Sequence, residues 1–98
     1  MSTYLVALFV GQFNSTAPAL FQSPYDNNDD SFKAFYTLAR PQFYEANLTD
    51  YSQLVGPQIM NVMTDYLNVG YAFPKVEQVA VPIFSAGAME NWGLVTYR

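Results

Sequence analysis

Only one stretch of this chain has helical periodicity, and the stretches around it read as strands. From Asp50 to about Asn68, the residues Leu54, Val55, Met60, Val62, Met63, Tyr66 and Leu67 recur near the 3.6 period and make a broad apolar face. Such a helix must bury that face on another element. Residues 2–13 are rich in Tyr, Leu, Val and Phe and predict a largely buried strand. Residues 32–40 predict a second strand, stopped by Pro41. Residues 76–82 predict a third, with Val76, Val79 and Val81 in imperfect alternation, and residues 94–98 a fourth. Eight Tyr and eight Phe against one Trp favour strands over a helical bundle. The order strand, loop, strand, helix, strand, strand predicts an α+β fold, a mixed β-sheet with one long helix on one face.

Local signals sharpen the boundaries. Asp50 with Gln53 three residues on fits a capping box at the helix start. Pro57 cannot donate to the Gln53 carbonyl, which predicts a kink or a late start. Gly70 is the expected C-terminal stop. Residues 14–31 collect Ser, Asn, Pro18, Pro24 and the acids Asp26, Asp29 and Asp30. They predict a long loop, either functional or a boundary between units. Residues 85–87 predict a small-residue turn.

Charge and composition exclude several functions. The net charge of −4 leaves no basic stripe for nucleic acid and no cationic membrane-surface helix. A short acidic loop is ordinarily a solvated one. No apolar run approaches the roughly 18 residues of a membrane span. The chain has no cysteine, hence no disulfide and no thiolate chemistry. It has no histidine either, so the commonest zinc ligand and general base are missing. Hydrophobic residues make up 51% and charged residues only 12%, against about 25% charge in an ordinary domain. Part of this apolar surface is therefore expected to meet a further surface.

The informative stretch is Gly87-Ala88-Met89-Glu90-Asn91, followed by Trp92-Gly93-Leu94-Val95-Thr96-Tyr97-Arg98. It resembles the signature of the gluzincin zinc aminopeptidases, the aminopeptidase N family, most closely its insect gut-surface type. The likeness covers most of the chain. Residues 1–7 resemble the family's last strand before the catalytic domain. Ala39-Arg40-Pro41, Gly56-Pro57, Phe73-Pro74-Lys75 and Phe84-Ser85-Ala86 follow in family order. Two positions depart from it: Ile83 stands where many members have an acid, and Ala72 where proline or a small residue is usual.

The resemblance implies that residues 1–24 are the tail of an N-terminal β domain and residues 25–98 the opening of a thermolysin-like catalytic domain. Both ends are expected to be internal to a longer polypeptide. The parent would remove N-terminal residues from peptides with a zinc cofactor. Its ligands, a His-Glu-x-x-His helix and a later Glu, would lie beyond this chain, as would the tyrosine that stabilises the intermediate. Tyr97 is therefore not that tyrosine, and neither a catalytic nor a metal-binding residue is expected here.

Substrate contact is expected at five positions. Glu90 would accept a charge-assisted hydrogen bond from the peptide's free ammonium, worth roughly 1.5–3 kcal/mol. An internal peptide would leave that acid unpaired, which is the source of specificity. Gly87 lets the backbone approach closely, and Gly87 and Ala88 would pair with the substrate main chain like an added strand. Met89 suits a wall of the first side-chain pocket. Asn91 would hold the turn. Asn14-Ser15-Thr16 and Asn47-Leu48-Thr49 fit the N-glycosylation pattern. The family implies a membrane-anchored parent on the extracellular face of the plasma membrane. It also implies an alternative, an extracellular binding module on which pore-forming bacterial toxins dock.

Without the resemblance, residues 87–92 would be an ordinary turn and Glu90 a surface acid. Trp92, Met60 and Met63 are expected in the core, and Lys75 and Arg98 solvated or locally paired. Because the chain lacks histidine, the isolated 98 residues should release no product from a chromogenic amino-acid amide, with or without added zinc. Zinc-dependent turnover by the purified chain would contradict this.

Overall fold

A computed structural model describes residues 2–25 and 32–98. The acids Asp26, Asp29 and Asp30 lie outside the described residues. Strands β1 (Asn14–Ser15), β2 (Ala19–Phe21) and β3 (Lys33–Ala39) are followed by helices α1 (Pro41–Glu45) and α2 (Asp50–Leu67). Strands β4 (Lys75–Ala80), β5 (Ala88–Met89) and β6 (Leu94–Tyr97) complete the described elements. The six strands form one mixed sheet in the order β1-β3-β4-β6-β5, with β2 also paired to β3. The architecture is the expected one: α+β, a mixed sheet and a single long helix.

Strand β3 is the spine. Its residues Lys33, Phe35, Thr37 and Ala39 are buried in strict alternation with half-buried neighbours, as a pleated strand with one covered face requires. Antiparallel β1 and β2 occupy one edge. Parallel β4 occupies the other, pairing Phe35 with Val76 and Thr37 with Gln78. Two parallel neighbours need a crossover, and α2 is that crossover. Phe21, Phe35 and Val76 form the core cluster, with Ala19, Met60 and Tyr71 packed against it.

The approach of α2 to β3 is set at one residue. Phe35 is 1% exposed, and a Cβ placed on Gly56 would overlap its ring. Glycine at 56 therefore lets the helix axis come close over β3. The neighbouring Pro57 lies inside the helix, which nonetheless starts at Asp50 without delay.

Several boundary expectations are corrected. Residues 2–13 do not form a buried strand. They comprise a 3-10 turn, Thr3–Leu5, and an extended run in which Leu8 is 91% and Val10 85% exposed. A strand exists only where a ladder partner accepts its backbone groups. This run finds none among the described residues, and is held instead by the Trp92 N–H donating to the Leu5 carbonyl at 3.0 Å and by the Phe9–Phe13 ring contact. Within the expected loop 14–31, β1 and β2 form because β3 offers them an open edge. Pro41 does not merely stop β3: it opens α1, where its missing N–H costs nothing.

The capping box is absent. Thr49 is the N-cap and makes no side-chain cap bond, because Gln53 is drawn into the sheet, where its Nε2 donates to the Phe35 carbonyl at 2.9 Å. The helix ends at the expected place, near Asn68, but the stop is Asn68 itself and not Gly70. Asn68 takes the left-handed conformation (φ 56) and its N–H caps the Thr64 carbonyl. The broad apolar face is only partly used. Met60 packs on the core, but Leu54, Val62, Met63, Tyr66 and Leu67 are exposed. Met63 is therefore not a core residue. The sheet covers a narrow stripe of α2, and the stripe that includes Ser52, Gln53 and Thr64 is partly polar.

Replacing Gly56 with Ala should force the Phe35 ring out of a filled site. Overpacking costs about 1–3 kcal/mol, and the gain in helix propensity of about 1 kcal/mol offsets only part of it. A net loss on the order of 1–2 kcal/mol, read as a lower midpoint in urea unfolding, is the expected outcome.

Candidate functional site

The segment from Val81 to Arg98 is built by two turns. In the first, Pro82 is followed by Ile83 in a left-handed conformation (φ 56). A β-branched side chain is poorly suited to that region, and Ile83 is fully exposed, with no burial to offset the strain. In the second, the Leu94 N–H returns to the Asn91 carbonyl at 3.2 Å. Gly93 at the third turn position has φ 76, the type II pattern that calls for glycine there.

Between these turns lies β5, at the end of the sheet order. Ala88 is paired with Tyr97, and Met89 with Thr96. The Arg98 N–H donates to the Gly87 carbonyl at 3.0 Å. That bond makes Ala88–Tyr97 a non-hydrogen-bonded pair in an antiparallel ladder, so the N–H and C=O of Ala88 point away from β6. They face an edge where, among the described residues, no backbone group meets them. The Gly87 carbonyl is already engaged within the sheet. Of the two residues expected to meet a substrate main chain, Ala88 is thus the one with free groups.

Gly87 is exposed, and a Cβ there would meet nothing within 4 Å. Its conformation does not require glycine, since its φ is not in the left-handed region. Met89 is half-buried. Asn91 is 7% exposed. Its Nδ2 reaches the Met89 carbonyl at a long 3.5 Å, and its own carbonyl closes the turn. Glu90 is exposed and lines neither the groove between α2 and the sheet nor the smaller groove at Phe73 and Trp92.

Trp92 is not a core residue: it is 51% exposed. Its ring leans on Phe73 at 5.2 Å. That contact ends a row of aromatics running back through Phe73–Tyr71 (5.7 Å) and Tyr71–Phe21 (6.1 Å). Burial pushes the Tyr71 phenol above its ordinary value of 10.0. Lys75 is paired with Glu77 at 2.8 Å. Of the glycosylation candidates, Asn47 is exposed at φ 61 between the helices, while Asn14 is half-buried in β1.

The residue types present do not fit a zinc ion. Histidine and cysteine are absent from the sequence, and among the described residues no three carboxylates converge. No helix among them is long and apolar enough to cross a membrane.

A polar line beneath α2, from Gln53 and Thr37 through Ser52 and Gln78 to Tyr97, had no sequence signal beyond polar residues inside a helical stripe. Strand β5 is likewise too short, at two residues, for an alternation to show.

A family model described as the peptidase family M1 domain matches residues 51–98. The chain is 42% identical over 98 residues to aminopeptidase N of Bos taurus. It is 39% identical over the same length to aminopeptidase N of Plutella xylostella and to aminopeptidase M1 of Arabidopsis thaliana. Each alignment takes in 100% of this chain. The chain spans 9–10% of the length of these relatives.

Ile83→Asp should relieve the left-handed strain, because aspartate tolerates that region far better. The expected gain is about 1 kcal/mol, seen as a higher urea midpoint with an unchanged slope.

Proposed function

The chain belongs to peptidase family M1, in its aminopeptidase N branch, and on that premise we propose that it supplies the strand on which an aminopeptidase holds the amino terminus of its peptide substrate. The relatives are aminopeptidases by name, and the alignments to them extend over the whole of this chain. The observation that carries the proposal is the edge position of β5. Ala88 presents one donor and one acceptor outward, which is what an extended peptide needs in order to add as a further strand.

Each neighbouring residue has a separate part. The open space over Gly87 admits the substrate backbone. Glu90 follows Met89 directly, where the incoming strand would end. It takes part in no hydrogen bond or ion pair among the described residues, so its carboxylate is available to a substrate ammonium. Met89 flanks the first substrate side chain, and Asn91 fixes the turn that sets the direction of Glu90.

Exposure limits what Glu90 does alone. An ion pair in open water contributes little, and the carboxylate reaches its full effect only when a bound peptide and the rest of the enzyme exclude water around it. Zinc would polarise the scissile carbonyl and activate water in a zinc peptidase, but the described residues bring together no set of side chains to hold it. This chain's part is to bind and orient.

The test is Glu90→Gln in the full-length enzyme, assayed on a substrate with a free amine. Loss of one charge-assisted hydrogen bond should raise KM on the order of 10–100-fold. The turnover number should change far less, since ground and transition states both retain the ammonium. The same substrate with its amine acetylated should bind weakly to both forms. Unchanged kinetics on the free amine would remove the role assigned to Glu90.

A further inference from the structure

The groove between α2 and the sheet has a volume of about 610 Å³ and is walled largely by apolar residues such as Phe35, Phe43, Val55 and Ile59. Thr37, Ser52, Gln78 and Tyr97 line it, and Gln53 lies beside it, in the neighbouring groove with Thr16 and Ala17. Gln53 Nε2 donates to the carbonyls of Ala17 (2.7 Å) and Phe35 (2.9 Å), and Gln53 Oε1 accepts from Thr37 Oγ1 at 3.1 Å. These three bonds fasten the first turn of α2 to β3 and to the chain before β2. Ser52, the adjacent helix residue, donates from its Oγ to Gln78 Oε1 at 3.2 Å. Gln78 Nε2 donates in turn to the Tyr97 hydroxyl at 3.0 Å. The Thr37 and Ser52 hydroxyls also lie 3.1 Å apart. Their two hydrogens serve three close approaches, so both can be directed outward, one to Gln53 and one to Gln78.

The part-buried members of this line cost desolvation and return it only when every partner is in place, while its last bond, Gln78 to Tyr97, is exposed to water. The arrangement therefore selects one geometry more than it adds stability. The last member, Tyr97, is the ladder partner of Ala88. Its carbonyl also receives the Val81 N–H at 2.7 Å, at the start of the turn that leads into β5. Its phenol is tied to Gln78 on β4, its carbonyl to Val81 at one end of the segment, and the adjacent Arg98 N–H holds the Gly87 carbonyl next to Ala88.

We propose that Gln78 and Tyr97 are positioning residues, which hold β6, and with it the open edge at Ala88, at a set distance from α2 and β3. The inference rests on the edge-strand reading for its functional consequence, but not for its structural one. Neither side chain is assigned contact with substrate: both act through the ladder pair Ala88–Tyr97.

Tyr97→Phe removes one hydroxyl and nothing else, and Gln78→Leu removes the middle of the line. Both are to be made in the full-length enzyme and followed by hydrogen exchange of the peptide spanning residues 85–93, together with KM and kcat on an amino-acid p-nitroanilide. Loss of one hydrogen bond corresponds to roughly 3–10-fold. Exchange in that peptide should quicken by this factor, and KM should rise by a similar one, with kcat within about 2-fold. The double variant should do no more than the larger single, because both cut the same line. Thr64→Ala serves as the control. Thr64 is also buried on α2, but its Oγ1 bonds only to the Asn61 carbonyl at 2.9 Å, and its loss should leave residues 85–93 unchanged. Unaltered exchange in Tyr97→Phe, or equal loosening by Thr64→Ala, overturns the proposal. Faster exchange with an unmoved KM upholds the positioning line and overturns the edge strand as the substrate site.

Discussion

The fold depends on a contact made by an absence. At Gly56 the long helix has no side chain, and the Phe35 ring fills the space left over β3. Everything placed relative to that contact follows. With α2 seated there, its first turn reaches Thr37 two residues along the strand, and its crossover delivers β4 parallel to β3. Strand β4 then templates β6 through Glu77–Leu94 and Val79–Thr96, and β6 templates β5. The open edge of β5 is thus three ladders away from the residue that sets the spacing.

Two kinds of interaction link the core to that edge, and they differ in character. On one side, rings from Phe21 through Tyr71 and Phe73 to Trp92 make a dispersion contact that tolerates small displacements. On the other, the bonds from Gln53 to Tyr97 are directional and weaken steeply when donors and acceptors move. The apolar row supplies adhesion. The polar line supplies a single preferred geometry. The peptide-binding role proposed for β5 would require both, because an extended peptide is recognised by evenly spaced backbone groups that must stay in register.

The pattern of residues was most informative where burial and period coincide. Strand β3 alternates cleanly because one face is covered by α2 and both edges are paired, so its limits matched to within a residue. Helix α2 carried its period for 18 residues and was equally plain. Residues 2–13 misled for the converse reason. Their Tyr, Leu, Val and Phe content measures how well they would suit a pleated, half-buried surface, and no such surface receives them here. Trp92 misled in the same way, since the size of an indole says that burial is favourable, not that a cavity exists. At the site, the five-residue signature named Gly87 to Asn91, but only the register with β6 distinguished Ala88, whose groups are free, from Gly87, whose carbonyl is engaged.

Local chemistry alone therefore determined the one long helix, the spine strand β3, the lack of histidine and cysteine and the segment that bears the family signature. These are properties of single residues and short spacings, available before any folding occurs. Which faces are covered, which strand lies at the edge and which backbone groups point outward were decided by tertiary structure. Those choices depend on partners distant in the chain: Tyr97 opposite Ala88, Gln78 beneath Ser52, Phe35 under Gly56. A residue's type states what it can offer, and only the placement of another element determines whether the offer is taken up.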